Sequence, residues 1–142
     1  YKPVLEEINL NPDENIASKL KNRDITVLIA EDDDISFEYL DILVSSEGVN
    51  VIHTFNGEET VNAIKENPGI SLILMDIKMP VMNGLEATRE IRKFNKTIPI
   101  IAQSAFALDG DKNRAIEVGC NDFLTKPIKK SDLFNKIELL VS

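Results

Sequence analysis

Tryptophan is absent, aromatic residues make up 6% of the chain, and there is one cysteine and one histidine. A lone Cys120 cannot close an internal disulfide, which excludes a disulfide-stapled scaffold and favours a reducing compartment. His53 could be a phosphohistidine or a metal ligand; at a strand end with no kinase sequence context, it reads as an ordinary polar residue. Positive charge is in deficit: 16 Lys and Arg stand against 24 Asp and Glu, a formal net charge of -8. That balance argues against a reader of nucleic-acid backbones and suits cations or basic protein surfaces. No apolar run approaches the ~20 residues of a membrane span, and no signal-peptide pattern opens the chain. The expectation is a cytoplasmic domain with no direct membrane insertion, whatever anchors its parent protein. The first residue is Tyr1 rather than Met, as in a fragment of a longer protein.

What is present suits one compact domain and a tail. The chain has 142 residues, 43% of them hydrophobic, enough for a real core. Residues 1–24 are mixed in charge, carry Pro3 and Pro12 and lack apolar periodicity. Asn11-Pro12-Asp13-Glu14 reads as a helix start, so this segment is expected to be a linker with one short helix to about Lys21. The domain proper is expected over 25–142.

That domain is organised around residues 70–84. Ile70 and Leu72–Met75 form a short apolar run that fits a strand buried on both faces of a parallel sheet. The run stops at one carboxylate, Asp76; Pro80 then blocks a regular element and Asn83-Gly84 opens a helix. Around it, strand and helix alternate five times. Strands are predicted at 25–30, 49–53, 70–76, 98–103 and 122–125. Helices are predicted over about 35–46 with Asp34 as cap and Tyr39, Leu40 and Leu43 inward, and from Asn56-Gly57 to about Asn67. A third runs over about 84–93 with an Asn83/Glu86 capping box, burying Leu85, Thr88 and Ile91. A fourth runs from Asp109 to Gly119, and a fifth over about 130–140 with Leu133, Ile137, Leu140 and Val141 on one face. Five such units predict an α/β fold: a five-stranded parallel sheet between two helix layers. The flavodoxin-like order 2-1-3-4-5 is favoured, because it puts the ends of strands one and three together.

In that order Glu31, Asp32 and Asp76 converge on one rim. Three such carboxylates cannot all stay ionised without compensation. A hard divalent cation supplies it most simply, and Mg²⁺ fits: it takes one or two carboxylates, waters, a phosphate oxygen and a backbone carbonyl, here that of Lys78. Asp33 and Asp34 read better as helix-starting acids. Ser104 ends strand four and Lys126 follows strand five. A hydroxyl and a mobile cation there could bind the oxygens of an anion mounted on Asp76.

Four motifs then identify a family. They are Val27-Leu-Ile-Ala-Glu31-Asp32; Leu74-Met-Asp76-Ile-Lys-Met-Pro80 with Met82-Asn-Gly84; Pro99-Ile-Ile-Ala-Gln-Ser104-Ala105; and Asp122-Phe-Leu-Thr-Lys126-Pro127. From about 25 to 141 the chain resembles the receiver domain of two-component response regulators. The resemblance implies that Asp76 is the phosphoacceptor and that Glu31, Asp32, Asp76 and the Lys78 carbonyl hold Mg²⁺. It implies that Ser104 and Lys126 contact the phosphoryl group, with Ser104 and Phe123 as switch residues. No residue set for an organic cofactor is implied. Glu31 stands where Asp is usual, so its metal contact can run through water; Ser104 replaces the commoner Thr, Phe123 the frequent Tyr and Asn83 the frequent Asp. Motif style is similar to receivers fused to hybrid sensor histidine kinases, whose parent chain would be the kinase; a free-standing regulator is the alternative. The implied partner is a histidine kinase or histidine phosphotransfer domain, and the resemblance allows a homodimer through the helix 4–strand 5–helix 5 face. Such a domain catalyses its own phosphorylation and dephosphorylation without being a turnover enzyme. Another class, an Asp-nucleophile phosphohydrolase, typically carries a second acid two residues on, where this chain has Lys78. A flavin site lacks its phosphate-cradling loop after strand one.

Overall fold

The computed structural model describes residues 24–105 and 110–141. The helix expected near 11–21 and the Asp109 cap lie outside the described residues. Five strands form one parallel sheet in the order β2-β1-β3-β4-β5. They are β1 (Thr26–Ala30), β2 (Asn50–Thr54), β3 (Leu72–Asp76), β4 (Ile100–Ser104) and β5 (Asp122–Thr125). Between and after them run α1 (Asp34–Ser45), α2 (Gly57–Glu66), α3 (Gly84–Phe94), α4 (Asp111–Val118) and α5 (Lys130–Val141).

Alternation along the strands sorts side chains into two cores. Leu28, Ala30, Ile73, Met75, Ile100 and Ala102 face one way, against Val61 and Ile64 of α2, Ala87 and Ile91 of α3 and Ala115 of α4. Val27, Ile29, Leu72, Leu74, Ile101 and Leu124 face the other, against Leu40 and Val44 of α1 and Leu133, Phe134 and Ile137 of α5. Every residue of β3 is buried, as its unbroken apolar run requires.

Local chemistry sets the helix starts. Asn56 accepts from Glu59 N, and Asn83 from Glu86 N at 2.8 Å while Glu86 reaches back to Asn83 N at 3.0 Å. The first helix begins one residue early: Asp33, not Asp34, is the cap, accepting from Ser36 N at 2.8 Å. Its inward face also differs from expectation. Leu40 is buried and Leu43 half-buried, but Tyr39 is 47% exposed, its hydroxyl donating to the Ile128 carbonyl at 2.6 Å, and Val44 fills the core instead. On α3, Ala87 takes a core position and Leu85 is only half-buried. On α5, Phe134 is fully buried and Leu140 and Val141 partly so. Gly110 and Gly119 bracket α4 in left-handed conformations that tolerate no side chain cheaply.

Candidate functional site

Parallel strands all present their carboxyl ends to one rim, and the chemistry-bearing residues sit there. Glu31 follows β1, Asp76 is the last residue of β3, Ser104 the last of β4, and Lys126 follows β5. Carboxylate oxygens of Glu31, Asp32 and Asp76 lie within 4.8 Å of one another. Glu31 and Asp76 are buried, while Asp32 is exposed on the cleft side. Lys126 spans the buried pair: its Nζ is 2.8 Å from Glu31 Oε1 and 3.1 Å from Asp76 Oδ2. Its own N–H donates to the Ser104 carbonyl at 2.9 Å, which ties β5 to β4 at the rim.

Burial pushes the Glu31 carboxyl up; Lys126 pulls it back, Asp76 pushes it up again, and it ends above the usual carboxylate range. Burial also works against the Lys126 ammonium, but the Glu31 hydrogen bond and the charges of Asp76 and Glu31 outweigh it and hold Lys126 above the ordinary lysine value. The remaining oxygens are supported by backbone. Lys78 N–H donates to Asp76 Oδ1 at 3.2 Å, and Asp33 N–H to Glu31 Oε2 at 3.2 Å. An open cleft of about 580 Å³ leads to this rim, walled by Asp32, Lys78, Pro80 and Asn83.

The loop from Asp76 to α3 is tightly drawn. Met82 N–H donates to the Pro80 carbonyl at 2.7 Å across Val81, whose φ is 68°. A β-branched residue there is a true backbone outlier, the strained form of a three-residue turn. Gly84 lies so close that a Cβ on it would stand 2.2 Å from the Asp76 carbonyl oxygen.

Glu31, Asp32, Asp76 and Lys126 are therefore brought together, and Ser104 is buried at the adjoining strand end. Phe123 pairs with Ala102, half-buried against the core under α2–α4. Two features escaped the sequence reading. His53 packs between Phe37 and Phe55 and touches Glu31. Gln103, opposite Asp76 in the β3–β4 register, is fully buried, with neither side-chain atom paired among the described residues. Neither had a signal in spacing or periodicity; both arise from how separate elements meet.

Comparison with known proteins decides the family. The model for the response regulator receiver domain matches residues 27–138. This chain belongs to the response regulator receiver domain family. It is 36% identical over 119 residues to hybrid signal transduction histidine kinase I of Dictyostelium discoideum, covering 78% of this chain. The chain spans only 7% of that relative's length. Among solved structures it resembles the receiver domain of the Pseudomonas aeruginosa sensor histidine kinase PA1611, which has a magnesium ion in its active-site cleft (TM-score 0.78, 31% identity, 84% of this chain and 98% of that one). It also resembles a chain of the Saccharomyces cerevisiae complex between the histidine phosphotransfer protein Ypd1 and the receiver domain of Ssk1 (TM-score 0.77, 35% identity, 83% and 89%). As a receiver, the chain is a switch domain of two-component phosphorelay signalling. None of its described helices is long and apolar enough to cross a membrane.

Proposed function

We propose that this receiver accepts a phosphoryl group onto Asp76 from a phosphohistidine on a histidine kinase or histidine phosphotransfer partner. The observation that carries this reading is the Lys126 ammonium held between two buried carboxylates at the strand-end rim, with Asp32 beside them. In the transfer, the P–N bond to the partner imidazole breaks as an Asp76 carboxylate oxygen forms the new P–O bond. The imidazole leaves with the electron pair and takes up a proton. The chain's task is positioning and neutralisation. Lys78 N–H and Lys126 fix the Asp76 carboxylate, and Lys126 and Ser104 meet the incoming oxygens.

The donor set fits a divalent cation. Three carboxylates against one ammonium leave a formal charge of -2, and every ligand atom is a hard oxygen. Glu31, Asp32, Asp76 and the Lys78 carbonyl would hold Mg²⁺. Glu31, one methylene longer than the Asp usual there, would make its contact through water. When bound, the ion spreads the charge that builds up on the transferring group.

The acyl phosphate brings a charge of about -1.5 to -2 and new acceptor oxygens. Ser104 is drawn toward it, Phe123 turns into the space left, and the α4–β5–α5 face, through which a homodimer could form, shifts as the output. Hydrolysis resets the switch, so the domain needs no sustained turnover. Identity to a hybrid kinase supports a parent of that kind, with this domain on the cytoplasmic side. Intact mass after incubation with acetyl phosphate and Mg²⁺ is expected to show one added phosphoryl group, absent after chelation and absent in Asp76→Asn. Retention in the variant would refute the assignment.

A further inference from the structure

The single histidine is part of this rim. His53 is the last residue but one of β2, its ring flat on Phe37 of α1, centroids 3.5 Å apart and planes within 2°. Phe55 lies against the same ring, centroids 4.0 Å apart and planes tilted by 39°. The Phe37 ring from α1 and the Phe55 ring just past β2 hold the imidazole plane, and Nε2 meets the Glu31 carbonyl oxygen at 2.9 Å. A carbonyl only accepts, so Nε2 carries the proton.

That bond lies where the sheet gives out. Regular pairing of β1 with β2 ends at Ala30 and Thr54. One step further, Glu31 N–H still donates to the Thr54 carbonyl at 3.0 Å, but β2 has ended at Thr54 and, among the described residues, gives the Glu31 carbonyl no backbone donor. His53 supplies the missing donor. The Glu31 carbonyl and the Asp32 N–H share one rigid peptide plane, and the side chains of Glu31 and Asp32 leave from its two ends. Fixing that plane therefore fixes the direction of two of the three converging carboxylates. Asp32, exposed on the cleft side, gains most.

We infer that His53 is a positioning residue: its Nε2–H, aimed by the Phe37 and Phe55 rings, locks the Glu31–Asp32 peptide so that both carboxylates face the ion. The inference rests on reading the acidic cluster as a magnesium site, and it adds a residue that touches neither ion nor phosphoryl group. Outer hydrogen bonds that orient metal ligands are commonly worth 10–100-fold in affinity.

Two variants separate the donor from the ring. His53→Phe keeps an aromatic plate between Phe37 and Phe55 and removes the donor. His53→Gln removes the plate and keeps an N–H at similar reach. Magnesium binding to the unphosphorylated protein is followed by amide NMR shifts at Asp32 and Lys78. The dissociation constant is expected to rise about tenfold in His53→Phe and to stay within about twofold in His53→Gln. In the metal-free wild type, the His53 Nε2–H should appear as a slowly exchanging proton. The inference is overturned if affinity follows the ring rather than the donor, if His53→Phe binds as wild type does, or if Nδ1 carries the proton. A wild type that binds no magnesium at these amides would contradict the metal site itself, a separate outcome.

Discussion

Lys126→Ala is expected to slow phosphoryl acceptance from a small donor by about 10²- to 10³-fold, the usual cost of removing one preorganised group at a developing charge. It should also destabilise the metal-free protein. Glu31 is 1% exposed, and Lys126 is the ammonium that pairs with it. Removing one member of a buried pair typically costs ~3–5 kcal/mol. The Lys126 side chain is 22% exposed, so water replaces part of the loss and about 2–3 kcal/mol at pH 7 is expected. The pH dependence has a definite sign. Burial already holds the Glu31 carboxyl above its unfolded value, so the folded state binds a proton more tightly than the unfolded chain. Stability therefore falls as pH rises through the window above the ordinary carboxylate range. Losing Lys126 widens that window upward. The variant should recover relative to wild type as pH is lowered from 7 toward the ordinary glutamate range, because Glu31 then folds neutral. Urea midpoints across that range give the check; a deficit independent of pH would mean that Glu31 and Lys126 do not share the charge as described.

Gly84→Ala should cost about 3 kcal/mol or more of stability, at the upper end for overpacking a well-fitted site. The reason is contact, not backbone freedom. An added Cβ would stand 2.2 Å from the Asp76 carbonyl oxygen and 2.9 Å from Met75 Cγ. Neither can yield cheaply: the first is main chain at the end of the central strand, and Met75 is fully buried. Gly84 N–H also donates to the Ile77 carbonyl at 2.9 Å, and its own carbonyl accepts from Thr88 Oγ1 at 2.8 Å, so α3 cannot simply slide away. Relief comes from shifting the end of β3, which carries Asp76. A lower urea midpoint with an unchanged slope is expected, together with weaker magnesium binding. A variant within about 0.5 kcal/mol of wild type, the usual range for surface changes away from such features, would show that α3 does not press on the strand end.

Much of this was legible in the chain. Leu72–Met75 announced a central strand because an all-apolar run has only one comfortable place in such a sheet. Asp76, Glu31 and Lys126 could be placed on one rim because parallel strands all end on the same side. The capping box at Asn83 read directly from residue types. Periodicity failed on α1. Ile35, Phe37, Leu40, Ile42, Leu43 and Val44 spread over more than half of the helix circumference, so the pattern could not choose between Tyr39 and Val44 for the core. Ile35 and Ile42 in fact stand 80% and 63% exposed. The approach of Gly84 to Asp76, the His53 stack and the double contact of Lys126 are distances between elements, and no spacing along one element encodes them.

The central claim is that one carboxylate, Asp76, carries the phosphoryl group. Borohydride reduction of the phosphorylated protein converts an aspartyl phosphate to homoserine, and peptide mass spectrometry then reads its position. Homoserine at residue 76 alone, formed only when Mg²⁺ is present, is the predicted result. Homoserine at Asp32, or a phosphoryl group recovered on His53 or Ser104 with Asp76 unmodified, would contradict it.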